Sequence, residues 1–178
     1  MPESPLPADG APIVVVVGNP QSGSRTQHVA ELVAHRLAAL ATGDPPAIEV
    51  IDLAPDGPAL LAWGDPTVAA RKATVLGARA LVIASPTYKA AYTGLLKLFL
   101  DQFGHDELAG RPTIALMTGG SPGHSLAVDV HLAPVLVEIG ASLPARGLYV
   151  QGPEIDDPDA TLDAWFAVAS PALARALA

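Results

Sequence analysis

Apolar residues run without interruption through Ile13-Val14-Val15-Val16-Val17. Successive side chains of a strand point to opposite faces, so five consecutive β-branched or apolar positions need apolar cover on both sides. That pattern predicts a buried strand of a parallel sheet. Beyond it, Val29, Leu32, Val33, Leu37 and Leu40 recur at helical spacing and predict a helix over Thr26–Leu40, ended by Thr42-Gly43-Asp44-Pro45-Pro46. Ile48–Leu53 reads as a second strand, less buried because charges interrupt it. Ala54–Pro66 reads as a surface loop, and Asp65-Pro66 as an N-cap with a first-turn proline opening a helix through Val68–Leu76.

The alternation continues. Ala80–Ala84 is a third, buried strand, and a helix follows from about Thr93 to Phe103. Thr113–Thr118 is a fourth strand, followed by a helix over Leu126–Ile139 that Pro134 is placed to kink. Leu143–Val150 is a fifth strand, and a helix over Ala160–Ala176 closes the domain. Strands alternating with helices define an α/β architecture around a parallel sheet. Five such units fit a flavodoxin-like three-layer sandwich with strand order 2-1-3-4-5. That order reverses beside strand 1 and leaves a crevice at the carboxyl ends of strands 1 and 3. The expected organisation is a flexible lead over residues 1–12 and a single domain over 13–178.

Composition narrows the chemistry. Aromatics make up 4% of the 178 residues, so the core must be assembled from Val, Leu, Ile and Ala. The formal net charge is −8, with no basic tract, which argues against a nucleic-acid partner. There is no cysteine, and this removes disulfides, thiolate metal sites and cysteine nucleophiles together. The lead has no basic-then-apolar signal pattern and the apolar runs are strand-length, so the expectation is a cytoplasmic protein without a membrane partner.

Three loops on the expected rim carry unusual residues. The first is Gly18-Asn19-Pro20-Gln21-Ser22-Gly23-Ser24-Arg25-Thr26. Gly18 and Gly23 have the separation of a nucleotide-triphosphate loop, but Ser24-Arg25 stand where that motif needs Lys. The dinucleotide pattern G-x-G-x-x-G is absent, and a phosphatase loop at this place would need a cysteine. Hydroxyls at Ser22, Ser24 and Thr26, the Arg25 cation and the amides of a helix start suit a phosphate that is held and not cleaved. An ordinary capped turn is the alternative. The second loop, Ser85-Pro86-Thr87-Tyr88-Lys89-Ala90-Ala91-Tyr92, offers a stiff edge and flat rings. The third, Thr118-Gly119-Gly120-Ser121, pairs glycines directly after a strand, which allows close backbone approach. His124 reads as a polar cap. A phosphate at the first loop and a planar ring at the other two describe flavin mononucleotide (FMN).

Gly18–Thr26, Ser85–Asp101 (SPTYKAAYTGLLKLFLD) and Thr118–Leu136 (TGGSPGHSLAVDVHLAPVL) resemble the NAD(P)H-dependent FMN reductases. Within them the chain is most similar to the reductases of two-component alkanesulfonate and methanesulfonate monooxygenase systems. The likeness covers about residues 13 to 150. It implies FMN binding at Asn19, Gln21, Ser24, Arg25 and Thr26, at Pro86, Thr87, Tyr88 and Lys89, and at Thr118, Gly119, Gly120 and Ser121. Ser24, Arg25 and Thr26 match the family's Ser-Arg-Ser or Ser-x-Thr. Asn19 and Gln21 depart from its Ser-Pro-Arg and remove one cation. In the sulfonate-linked reductases an inserted tyrosine bulges the fourth helix at the tetramer interface. Val130 takes that position here, with His131 next, which puts the bulge and the flavin transfer linked to it in question.

The resemblance implies an NAD(P)H:FMN oxidoreductase that supplies reduced flavin to a partner monooxygenase. FMN and NAD(P)H would be its cofactors, and a homodimer or homotetramer its assembly. Hydride transfer is carried by the cofactors, so no catalytic side chain and no metal are expected. A tight-FMN reductase of quinones, azo dyes or chromate and a non-enzymatic flavodoxin-like electron carrier are the alternatives.

Overall fold

The computed structural model describes residues 10–178; most of the expected lead over 1–12 lies outside them. At the start of the described chain, the Pro12 carbonyl accepts from the Arg79 N–H at 2.8 Å. Five parallel strands follow: β1 (Ile13–Val17), β2 (Ile48–Asp52), β3 (Ala80–Pro86), β4 (Thr113–Gly119) and β5 (Leu148–Gln151). Their spatial order is β2-β1-β3-β4-β5, as the alternation of patterns predicts. In register, Val15 lies between Val50 and Val82, and Leu116 is flanked by Ala84 and Leu148.

The unbroken apolar run of β1 is explained by two separate cores. Val14 and Val16 pack on one face with Leu81, Ile83, Met117, Leu96, Phe99, Leu132 and Leu136. Ile13, Val15 and Val17 pack on the other with Val29, Val33, Leu37, Leu162, Phe166 and Leu173. The second face is covered by α1 (Arg25–Ala38) and α6 (Asp159–Leu177). The first is covered by α3 (Pro66–Leu76), α4 (Gly94–Leu100) and α5 (Ala133–Glu138), and a short α2 (Gly57–Leu60) lies within the segment read as a loop. The Asp65 carboxylate caps α3, accepting from the amides of Thr67 at 2.8 Å and Val68 at 3.3 Å.

Besides α2, three elements differ from expectation. β5 begins at Leu148 and not at Leu143. Pro144 cannot donate to a sheet ladder, and a Cβ on Gly147 would come within 2.5 Å of Val128, so the chain reaches the sheet only after this close pass. α4 ends at Leu100, with Gln102 and Phe103 in a turn beyond it. The helix expected over Leu126–Ile139 is divided. A π-helical turn over Val128–Leu132 precedes α5, and the Ala133 N–H bonds the Val128 carbonyl five residues back.

The wide turn is therefore present without the tyrosine at position 130. Pro134 stands in the first turn of α5. In an unbroken α-helix its ring would meet the carbonyl of Val130 and its missing N–H would leave that carbonyl unpaired. One extra residue in the preceding turn carries the ring past that carbonyl. Val128, Leu132 and Leu136 remain fully buried through the change.

Candidate functional site

The loops leaving β1, β3, β4 and β5 converge on one open cleft of about 700 Å³ at the carboxyl edge of the sheet. That is the size of a site for a cofactor-sized ligand, at the place where this strand order reverses.

The first loop is fixed from inside. Gly18 is required because a Cβ there would stand 2.4 Å from Cβ of Leu96, where α4 crosses close to β1. The Asn19 side-chain oxygen accepts from the Gln21 amide at 2.9 Å, and Nδ2 donates to the Thr26 hydroxyl at 3.4 Å. Ser24 caps α1 by accepting from the Gln27 amide at 3.2 Å. The amides of Arg25 and Thr26 are left as the helix start's remaining donors. The Thr26 hydroxyl lies 2.7 Å from that of Thr118, tying α1 to the end of β4. Asn19 and Thr26 thus line the cleft while their side chains serve the scaffold, a division of labour that depends on contacts distant in sequence.

Arg25 is the cation of the cleft wall, and its Nη1 lies 3.3 Å from both carboxylate oxygens of Asp156. Both side chains are well exposed, at 67% and 64%.

On the β3 side, the Thr87 amide donates to the Thr118 carbonyl at 2.6 Å. The Thr87 hydroxyl is buried and has no hydrogen-bond partner among the described residues. Tyr88 and Ala91 exchange backbone bonds at 2.8 and 3.2 Å around Lys89 and Ala90, whose φ angles are +51° and +65°. This two-residue turn carries Tyr88 to the cleft edge and directs Lys89 away from the lining.

On the β4 side the two glycines have different reasons. A Cβ on Gly119 would lie 2.1 Å from the Tyr149 hydroxyl and 3.1 Å from that of Thr87, whereas one on Gly120 would meet nothing within 4 Å. Gly119 is small for the protein's own packing, and Gly120 opens on the cleft. The Tyr149 hydroxyl donates to the Ser121 carbonyl at 2.9 Å, and the Ser121 side chain accepts from the Gly123 amide at 3.2 Å. Ser121, like Lys89, falls outside the lining.

The other expected residues, from Asn19 and Gln21 through Ser24, Arg25 and Thr26 to Pro86, Thr87, Tyr88, Thr118, Gly119 and Gly120, do line it. The fourth wall was missed: Gly152, Pro153, Ile155 and Asp156, on a 3-10 turn after β5. The signal for it was available, since strand order 2-1-3-4-5 sets the exit of β5 beside that of β4.

Fold and cleft together define a flavodoxin-like α/β protein with a nucleotide-sized site at its topological switch point. A family model for NADPH-dependent FMN reductase matches residues 11–152, and the chain belongs to that family of oxidoreductases. An FMN reductase (NADPH) of Escherichia coli (strain K12) is 29% identical over 150 residues, 82% of this chain and 75% of the relative. An NADH-dependent FMN reductase, SfnF of Pseudomonas putida, is 41% identical over 69 residues, 39% of this chain and 37% of the relative. Among solved structures, the apo form of the NADH:FMN oxidoreductase EMOB superposes with a TM-score of 0.79 at 29% identity, covering 94% of this chain and 88% of that one. A flavodoxin from the domain Archaea, at 14% identity and a TM-score of 0.55, shares the fold.

The residues present fit FMN. Arg25 and the start of α1 suit a phosphate. The unpartnered Thr87 hydroxyl and the open face of Gly120 suit a polar, planar ring edge.

Proposed function

We propose that the cleft binds FMN and that the protein transfers hydride from NADH or NADPH to it, releasing reduced flavin to a partner monooxygenase. The observation that carries this reading is the convergence of the α1 start, the Thr87 hydroxyl and Gly120 on one wall-to-wall cleft. Bound FMN supplies the hydride acceptor. The chain's own work is placement. The amides of Arg25 and Thr26, with the Arg25 guanidinium, take the phosphate. Pro86 and Tyr88 support the ring, and Thr87 donates to a ring heteroatom. Backbone N–H groups around Gly119 and Gly120 would face the ring and suit negative charge on it.

The monooxygenase role is supported by the SfnE- and SfnF-type names among the relatives and by a first loop without the second cation, which favours exchange over retention. Exposed apolar residues Leu126, Val130 and Val137, on the segment spanning the π turn and α5, support a homodimer or homotetramer. No helix among the described residues is long and apolar enough to cross a membrane, and a reductase drawing on the nicotinamide pool would work in the cytoplasm. Residues 13–178 would act as one FMN-binding unit. Purified protein with FMN should oxidise NADH or NADPH, followed by nicotinamide absorbance; absence of flavin-dependent oxidation overturns the reading. Light scattering after size exclusion should give a dimer or tetramer mass, and a monomer at micromolar concentration would contradict the assembly.

A further inference from the structure

The cleft has one feature that works against its expected ligand. Among the described residues its lining holds one guanidinium, Arg25, and one carboxylate, Asp156, and these two contact each other at 3.3 Å. The β5 exit loop offers no compensation, because no Lys or Arg lies between Arg146 and Arg175, while Glu154 and Asp157 add negative charge and Asp159 is paired with Arg36. A phosphate arriving at the α1 start must therefore share Arg25 with a carboxylate and approach that carboxylate closely.

We propose that Asp156 is a specificity-determining residue that lowers the cleft's affinity for the flavin phosphate. The inference rests on FMN as the ligand. Two effects add. Asp156 neutralises the cation that would meet the phosphate, and its own charge repels the dianion across the open cleft. The Arg25–Asp156 contact is long and exposed, so it adds little to folding stability. Its consequence falls on the ligand. The neutral donors offered to the phosphate are the first-turn amides, the Ser24 hydroxyl, which accepts from Gln27 and keeps its own hydrogen to donate, and the Gln21 side-chain amide, while Asn19 is engaged with Gln21 and Thr26. The phosphate then contributes less than a helix start with a free arginine would give.

The test compares FMN with riboflavin, which shares the ring and lacks the phosphate. Kd values are measured from quenching of flavin fluorescence for the wild-type protein, Asp156→Asn and Asp156→Ser, each at low and high salt. Both variants should bind FMN about three- to tenfold more tightly at low salt, with the gain shrinking as salt screens it. Riboflavin affinity should change by less than about twofold, because no charge is at stake. Unchanged or weaker FMN binding would overturn the proposal, since Asp156 would then be orienting Arg25 for the phosphate. Equal tightening of both flavins, or different behaviour of the two variants, would also overturn it and point to a change of loop shape. If neither flavin quenches with any of the three proteins, it is FMN binding itself that fails.

Discussion

The hydroxyls of Thr26 and Thr118 lie 2.7 Å apart in an interior where the two residues are 2% and 3% exposed. This bond joins the first turn of α1 to the last residues of β4, which bear two walls of the cleft. Replacing Thr118 by Val keeps the shape and strands the Thr26 hydroxyl with a long contact from Asn19. An unsatisfied buried hydroxyl costs about 1–2 kcal/mol, and we expect Thr118→Val to lower the denaturation midpoint accordingly, by roughly 3–8 °C. The double variant Thr26→Val/Thr118→Val should cost less than the sum of the two single ones, because the paired hydroxyls leave together and only the long contact from Asn19 Nδ2 is lost besides. Additive losses in thermal or urea unfolding would show that the two hydroxyls act independently.

Gly119 and Gly120 make a second, separable prediction. A methyl group on Gly119 enters the Tyr149 hydroxyl, so Gly119→Ala should cost about 1–3 kcal/mol as overpacking and displace Tyr149 from the Ser121 carbonyl. A methyl group on Gly120 meets nothing within 4 Å, and Gly120→Ala should leave unfolding unchanged while weakening FMN through the space it occupies. Urea denaturation and flavin titration of the two variants distinguish the roles. Loss of stability in Gly120→Ala would contradict this assignment.

The turn that presents Tyr88 carries strain. Lys89 and Ala90 both adopt positive φ, a conformation that L residues other than Asn and Gly enter at a cost of about 1 kcal/mol each. Lys89→Asn/Ala90→Gly installs the pair that two-residue turns of this kind favour. The midpoint of urea unfolding should rise by the equivalent of about 1 kcal/mol with an unchanged slope. A fall would mean that the lysine side chain contributes contacts worth more than the backbone strain.

Much of this arrangement was legible in the sequence, for definable reasons. Ile13–Val17 and Ala80–Ala84 announce buried parallel strands because no alternation interrupts them, and their order then places three loops on one rim. Asp65-Pro66 announces a helix start because the carboxylate and the proline each fill a position that a helix start leaves open. What escaped depends on partners remote in the chain. Nothing around Asn19 or Thr26 indicates that their side chains will be spent on Gln21 and Thr118. Asp156 lies 131 residues from Arg25. Leu143 reads as part of β5 although Pro144, Arg146 and Gly147 interrupt the segment, because the close pass of Gly147 to Val128 is a contact the local sequence does not reveal. The divided helix escaped because Val128, Leu132 and Leu136 keep a four-residue spacing that an unbroken helix would also show.

That divided helix gives the last prediction. If Pro134 is what requires the wide turn, the turn and the proline must be coupled. Deleting Val130 removes the extra residue and would place Val128, Leu132 and Leu136 at a regular helical spacing, preserving the buried face. It would also set Pro134 four residues after a carbonyl that the ring then meets, at a cost of about 3 kcal/mol. Pro134→Ala alone should change stability little, because the turn before it can stay wide. Combining the deletion with Pro134→Ala should recover most of the loss, since the clash and the unpaired carbonyl both disappear. Chemical denaturation of the three variants measures the coupling directly. Recovery would identify the proline as the cause of the π turn. Equal destabilisation with and without Pro134 would instead assign the turn to the packing of Val128 and Asp129 against Gly147, where the chain enters β5.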